Sequence, residues 1–341
     1  MERYFLGNNT GLGFFGYYKD ELAKKDRVFL LKGGPGTGKS TLMRQIAREC
    51  FLRGFDYEEW YCSGDPSSLD GIFVKEKNLC VVDATAPHAS EADLPIVRDE
   101  IVNLAEALDR DILLENRKEI ETAINDKKIH FTHANRHLKY ALCYYNDIME
   151  CEQRGVKSSD IIHFALNWHY NLHKSSGKDM TATNLPYKRK VFFEAITPDG
   201  ENKFYDYLRG KEIYLVVGNL ATKKVFFDAL ASLLQTGVFL YNPLQPSDIV
   251  GIIFGGKAIV TDVGYYENSV SERIDLSIFE GQFDDTLAKE LGENILAEVE
   301  KAKVELNLAR DSHLQIEKYY ISAMDFEKLA KIKSDTLAKI F

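Results

Sequence analysis

A glycine-rich segment near the N-terminus restricts the possible folds of this chain more than any other feature. Residues 33–41 read GGPGTGKST, which matches the pattern G-x-x-x-x-G-K-[ST]. The apolar run 27–32 before this segment is typical of a buried strand. After the segment, Leu42, Ile46 and Ala47 fall on one face of a predicted helix. A strand, a glycine loop and a helix in this order predict an α/β fold in which helices cover both faces of a parallel sheet.

The same segment has the composition of a phosphate-binding loop. Glycines let backbone N–H groups approach phosphate oxygens, and the partial positive charge at the N-terminus of the following helix favours an anion. In this pattern Lys39 is expected to neutralise the β- and γ-phosphates, and the hydroxyl of Ser40 to ligate Mg²⁺. The predicted nucleotide-binding residues are Gly33, Gly34, Pro35, Gly36, Thr37, Gly38, Lys39, Ser40 and Thr41. The chain has no N-K-x-D segment of the guanine-binding type, so we predict ATP and Mg²⁺ as the cofactors.

A carboxylate at the end of a neighbouring strand is expected to complete the magnesium site. Residues 78–83 read NLCVVD, a short apolar run that ends in Asp83. Phosphate-binding loops are commonly paired with such an acid, which orders Mg²⁺, so we predict Asp83 and Ser40 as the metal ligands. No acid follows Asp83 directly, whereas many motor ATPases carry a water-activating Glu there. The sequence therefore counts against a fast motor.

The segment 60–71, which reads WYCSGDPSSLDG, adds two more carboxylates. A strand that ends near Cys62 would bring Asp65 and Asp70 to the edge of the sheet where ligands bind in open α/β folds. We predict that Asp65 orients a water molecule or an acceptor hydroxyl, which makes it a catalytic residue beside Lys39 and Asp83. The alternative is that Asp-Pro-Ser and Asp-Gly are simply turn sequences. Further candidates are Thr85 and His88 as sensors of the γ-phosphate, and Arg98 or Arg136 as a source of positive charge.

Several residues of the first half recur in the same order in the second half. The recurring pairs are Phe5 and Phe192, Thr10 and Thr197, Gly13 and Gly200, Tyr18 and Tyr205, Gly33 and Gly218, Gly71 and Gly251, Asp83 and Asp262, and His137 and His313. A chance similarity would not keep its order over so much of the chain. We therefore predict a duplicated α/β unit, with one copy in 1–186 and the other in 187–341.

The second copy lacks the residues that phosphate chemistry needs. Lys224 aligns with Lys39, but Lys223 replaces Gly38 and Val225 replaces Ser40. A valine cannot ligate Mg²⁺, and a side chain at position 223 would crowd a phosphate. We therefore predict that the second copy does not hydrolyse nucleotide.

Helical patterns fill the remainder of each copy. A helical insertion is predicted at about 95–175, with helices over 96–108, 112–151 and 159–173, and a helical arm at about 285–341 that resembles an antiparallel hairpin. The polar stretch 174–186 is the predicted linker. Because each half shows only about four candidate strands, fewer than a P-loop sheet usually has, we expect the halves to pack tightly and to share or exchange a strand.

Two sets of histidines have a spacing that would place each set on one face of a helix. His130, His133 and His137 follow a helical period, as do His169 and His173. Zinc is bound by such pairs, but no Cys or acid completes either set by local spacing. Surface or packing roles are therefore favoured.

Composition excludes several classes of protein. The 341 residues carry a net charge of −9, which argues against a general nucleic-acid binder, and no apolar run approaches the about 20 residues that cross a bilayer. The five cysteines are odd in number, form no C-x-x-C pair and mostly lie beside apolar neighbours, so we expect reduced, buried thiols in a cytoplasmic protein.

Three blocks together resemble a known group of proteins. Residues 33–41, 62–71 and 83–88, with a related second half, are similar to a poorly characterised group of bacterial tandem P-loop proteins that are labelled ATPases or nucleotide kinases. The resemblance implies nucleotide binding but no particular substrate. Both halves usually carry a phosphate loop in that group, so the altered second loop departs from its pattern.

These features predict Mg²⁺-dependent hydrolysis of a nucleoside triphosphate by the N-terminal half, beside an inactive C-terminal copy. One alternative is a nucleotide or small-molecule kinase, with the acceptor held by the helical insertion. Another alternative is a nucleotide-regulated scaffold whose helical arms bind a protein partner or a second copy of the chain.

Overall fold

A computed structural model of the protein describes residues 1–85, 91–176 and 187–341. The elements of the first half are β1 (Glu2–Tyr4), β2 (Gly7–Thr10), β3 (Gly13–Gly16), α1 (Tyr18–Leu22), β4 (Arg27–Lys32), α2 (Lys39–Arg53), β5 (Tyr57–Tyr61), β6 (Leu69–Val74), β7 (Leu79–Asp83), β8 (Asp99–Asn103), α3 (Arg110–Glu115), α4 (Arg117–Gln153) and α5 (Ser158–Ser176). Those of the second half are β9 (Lys188–Val191), β10 (Glu194–Thr197), β11 (Gly200–Lys203), β12 (Glu212–Val217), α6 (Leu220–Leu233), β13 (Gly237–Tyr241), β14 (Ile249–Phe254), β15 (Lys257–Val260), β16 (Val270–Asp275), α7 (Asp285–Ser322) and α8 (Phe326–Ile340).

The two halves form two six-stranded sheets with the same strand order. The first sheet runs β1-β5-β6-β7-β4-β8 and the second β9-β13-β14-β15-β12-β16. In each sheet the third strand is antiparallel to both of its neighbours, and the remaining pairs are parallel. This agreement is consistent with a duplicated α/β fold.

The prediction of a parallel sheet is wrong, because β6 and β14 reverse the direction of the chain. A short turn, 75–78, joins β6 to β7, and Asn78 in this turn has a φ of 42°. Gly255 and Gly256, with φ of 53° and 77°, join β14 to β15. Parallel neighbours need a crossover of a dozen or more residues, so connections this short allow only hairpins.

The predicted helix over 96–108 is also wrong. Residues Asp99–Asn103 form β8, which lies parallel to β4, and only Leu104–Ala107 after it turn in a 3₁₀ helix. Pairing with β4 satisfies the backbone of this segment, so tertiary contact outweighs its local helical pattern. In residues 1–85, 91–176 and 187–341, each six-stranded sheet is built from strands of its own half, so the predicted sharing or exchange of a strand is not found there.

The halves exchange helices instead. The helices α4 and α7, of 37 and 38 residues, pack along each other in opposite directions, although they belong to different halves. Beyond them, α8 lies on the first sheet, where Leu329 and Ile340 join the core around Phe29. In the same way α5 lies on the second sheet, where Ile161 joins the core around Phe226. The hairpin predicted for 285–341 is therefore replaced by helix pairs formed between the halves.

The two sheets also share a core, in agreement with the predicted close packing of the halves. Phe5 and Phe192 exchange two backbone N–H···O bonds of 2.9 Å, and buried side chains of both halves surround them. The guanidinium of Arg189 on β9 is buried and donates to Glu58 on β5 at 2.6 and 2.8 Å. Among the described helices, none has both the length and the apolar composition that a membrane crossing requires.

Candidate functional site

The glycine loop lies between the end of β4 and the start of α2, as its sequence predicts. Gly36 and Gly38 have φ of 69° and 76°, in the left-handed region that glycine adopts without strain. The hydroxyl of Thr37 donates to the carbonyl oxygen of Gly34 at 2.8 Å and holds the loop closed. The loop therefore has the backbone shape that places N–H groups at the N-terminus of a helix.

Lys39 and Asp83 lie together beside this loop. The ammonium group of Lys39 donates to the carbonyl oxygens of Gly33 and Gly34 at 2.9 Å each, and lies 3.6 Å from the carboxylate of Asp83. Asp83 also accepts from the backbone N–H of Thr85 at 2.8 Å. The parallel pairing of β4 with β7 brings the two ends of these strands to one edge of the sheet.

The other predicted loop residues differ in their contacts and in their exposure. The hydroxyl of Ser40 accepts a hydrogen bond of 3.0 Å from the backbone N–H of Leu69, at the start of β6. Pro35 is half-buried and Thr41 is exposed. His88 lies outside the described residues.

Asp65 and Asp70 have different surroundings. The carboxylate of Asp65 accepts from the backbone and hydroxyl of Ser67, at 3.1 and 2.7 Å, and from the hydroxyl of Ser68 at 2.5 Å. Burial acts to raise the pKa of Asp65, but these hydrogen bonds outweigh burial and lower it. Asp70 is buried and accepts from the hydroxyl of Tyr18 at 3.1 Å. Asp65 thus occupies the turn that the alternative interpretation foresaw, and its catalytic role stays a prediction.

Helices α7 and α8 lie directly on the glycine loop. The carboxylate of Glu317 accepts a hydrogen bond of 3.1 Å from the backbone N–H of Gly36. A side-chain carbon added at Gly34 would lie 2.1 Å from the ring of Tyr320, and one at Gly38 would lie 2.6 Å from the ammonium group of Lys333. An N–H group of the loop is therefore already bound to an anionic side chain from the second half.

Lys127 on α4 and His313 on α7 complete the surroundings of the loop. The Lys127 Nζ and His313 Nδ1 atoms are 2.8 Å apart. Burial lowers the pKa of His313 to about 4, and the positive charges of Lys127 and Lys39 act in the same direction. Burial also lowers the pKa of Lys127, where Lys39 adds to the effect and Cys62 opposes it. The imidazole is therefore neutral at neutral pH and accepts a hydrogen bond from Lys127.

Burial raises the pKa of Glu317, although the Gly36 N–H and the charges of Lys39 and Lys127 oppose this effect.

Sequence reasoning missed Glu317, Lys127 and His313 as site residues. Of the three, His313 gave a signal, because it recurs as the partner of His137 in the repeat. Arg98 and Arg136 were the predicted sources of a further positive charge at the site. Arg98 is bound by Asp99 and Asp93, and Arg136 is exposed on α4.

The corresponding loop of the second half is bound by carboxylates as well. The backbone N–H of Ala221 donates to Glu152 of α4 at 2.9 Å, and that of Asn219 donates to Glu280 at 2.6 Å. Lys224 lies 2.8 Å from Asp248 and 3.3 Å from Asp228, two acids of its own half. In both halves, therefore, a glutamate of the long helix from the other half caps a backbone N–H of the loop.

No family model, curated protein or solved structure matches this chain. The fold and the site together define a two-sheet α/β protein with a glycine loop between an inner strand, next to the sheet edge, and a helix. The resemblance to tandem P-loop proteins stays a prediction, and function has to be inferred from the geometry of the loop.

Proposed function

We propose that the chain binds ATP with Mg²⁺ at the glycine loop 33–41 and hydrolyses it slowly. One observation carries this proposal: the Lys39 ammonium lies within the loop, bonded to its carbonyl oxygens and 3.6 Å from Asp83. A lysine, a carboxylate and the backbone N–H groups of a glycine loop, brought together where two neighbouring parallel strands end, are the parts that a triphosphate site needs. The bond from Gly36 to Glu317 supports the proposal further, because it shows that a carboxylate fits the loop.

In this proposal each residue has a defined task. The N–H groups of the loop and Lys39 hold the β- and γ-phosphates, and Ser40 and Asp83 supply oxygen ligands for Mg²⁺. Mg²⁺, when bound, neutralises charge on the transferred phosphoryl group. Lys127 supplies the further positive charge that was sought among the arginines. Glu317 has to leave Gly36 before a phosphate can take its place, so slow turnover is expected.

The test compares the lysines of the two loops. Lys39→Ala is expected to weaken ATP binding by more than about tenfold and to abolish phosphate release, because it removes a charge that contacts the phosphates. Lys224→Ala, at the matching position of the second loop, is expected to leave both unchanged. Binding is measured with a fluorescent ATP analogue and turnover by phosphate release. Wild-type affinity and turnover in Lys39→Ala would overturn the proposal.

Hydrolysis and phosphoryl transfer are separated by the fate of the γ-phosphate. Incubation with γ-labelled ATP and a panel of nucleoside and small-molecule acceptors releases labelled phosphate if water is the acceptor. A labelled acceptor would instead establish the kinase alternative.

A further inference from the structure

Helices α4 and α7 bring three metal-binding side chains together where the two halves meet. His130 and His133 project from α4 one turn apart, and Glu305 faces them from α7. The Nδ1 atom of His130 lies 2.7 Å from Oε2 of Glu305, and the Nδ1 atom of His133 lies 3.6 Å from the same oxygen. One ligand atom from each of the three residues falls within 4.8 Å of the other two.

A hydrogen bond alone does not account for this arrangement. The His130 ring forms one with Glu305, but the His133 ring at 3.6 Å is beyond hydrogen-bond distance and still lies by the same oxygen. Two ligands on one tetrahedral zinc ion are about 3.3 Å apart, since each ligand bond is about 2.0 Å long. The two measured distances lie on either side of that value, so small side-chain rotations would place the three donors around one ion.

The donor set favours zinc or a similar transition metal over magnesium or calcium. Two imidazole nitrogens are borderline ligands that suit zinc, which also accepts a carboxylate oxygen, whereas Mg²⁺ and Ca²⁺ prefer oxygen alone. All three side chains are partly exposed, so an ion can enter from solvent and water can take a fourth position.

The same helix pair contains a natural comparison. Further along α4, His137 lies 2.6 Å from Glu298 of α7, which gives one imidazole and one carboxylate. Two donors bind zinc much more weakly than three, so this pair serves as a control for histidine content and for helix contact.

We propose that His130, His133 and Glu305 form a zinc site, with water as the fourth ligand, that connects α4 of the first half to α7 of the second half. Zinc binding by these three side chains does not require a nucleotide at the glycine loop. It lies one helical turn from Lys127 along α4, so the ion would fix the helix pair that covers the glycine loop.

The test titrates the full chain with ZnCl₂ in competition with a chromophoric chelator. Cys143 is exposed, so the expectation that all cysteines are buried is wrong. Because thiols bind zinc, every chain carries Cys143→Ser. The reference chain is expected to bind one equivalent in the micromolar range. Glu305→Gln and His133→Ala are expected to weaken binding at least about tenfold, as loss of a metal-site residue does elsewhere. His137→Ala is expected to bind like the reference chain.

Co²⁺ gives a second measurement that reports geometry. The reference chain is expected to show the intense visible bands of tetrahedral Co²⁺, and Glu305→Gln to lose them. Because Glu305→Gln keeps the shape of the side chain, circular dichroism is expected to be unchanged. The proposal is overturned if the reference chain binds no zinc at micromolar concentrations, or if His137→Ala weakens binding as much as Glu305→Gln.

Discussion

At the scale of single residues, a glutamate already accepts a hydrogen bond from a backbone N–H group at each of the two matching loops. Glu317 holds Gly36 in the first half, and Glu152 holds Ala221 in the second. The first loop keeps a lysine among its carbonyl oxygens, whereas Lys224 of the second is paired with acids of its own half. The lysine of the first loop therefore lies within its own loop, whereas the lysine at the matching position of the second loop is held by two carboxylates.

Glu317→Gln is expected to raise ATP affinity by roughly tenfold, because it removes a charged competitor whose hydrogen bond contributes about 1.5–3 kcal/mol. Glu152→Gln is the matched control and is expected to have no effect. Affinities are measured by titration with the fluorescent ATP analogue. Equal changes in both variants, or no change in Glu317→Gln while Lys39→Ala still weakens binding, would show that Glu317 does not compete with phosphate.

His313 makes stability depend on pH. Its folded-state pKa is about 4, whereas the unfolded chain titrates near 6.5. Between these values the unfolded chain binds the extra proton, so the free energy of unfolding falls as pH drops from about 6.5 towards 4, by at most about 3 kcal/mol. His313→Gln is expected to flatten this dependence.

Urea unfolding at a series of pH values measures the effect of His313. His163→Gln changes an exposed histidine on α5 and is the control, so it is expected to keep the wild-type dependence. A wild-type slope in His313→Gln would show that other groups cause it.

At the scale of elements, the structures encoded by neighbouring residues were predicted well, whereas contacts between segments far apart in the sequence were not. The order β4, loop, α2 and the strand that ends at Asp83 could be predicted, because their patterns lie within a few residues of each other. The pattern of α7 shows that one face is buried but not what covers it. Lys127, His313 and Glu317 were therefore missed, since only the pairing of α4 with α7 brings them to the loop.

A chain that ends at Asp325 tests the exchange of α8. Leu329 and Ile340 are buried in the core of the first half, and loss of such side chains costs about 2–5 kcal/mol each. Backbone amides of α2 are therefore expected to lose protection in hydrogen exchange, while those of the matching helix α6 keep it. Equal loss in α2 and α6 would contradict the assignment of α8 to the first sheet.

At the scale of the whole molecule, neither half has a complete core without the other. Residues 1–176 and 187–341, produced separately, are each expected to lack cooperative unfolding, because α5, α8 and the buried Arg189–Glu58 pair each join one half to the other. Produced together, the two pieces are expected to associate.

Calorimetry and sedimentation measure these outcomes. The control is the full chain cut by a protease at a site inserted between residues 176 and 187. Its two fragments are expected to stay associated. Cooperative unfolding of either piece alone would show that the halves are independent domains.

The exchange of helices also bears on how such a chain arises. Two identical chains that each lend their last helices to the other form a symmetric swapped dimer, and fusion of the two genes would convert it into one chain with this arrangement. After fusion the copies mutate independently, so one loop can lose its phosphate chemistry while its helices continue to complete the other half. In this chain the loop of the second half differs from that of the first at Lys223 and Val225, while α8 of the second half still packs on the first sheet.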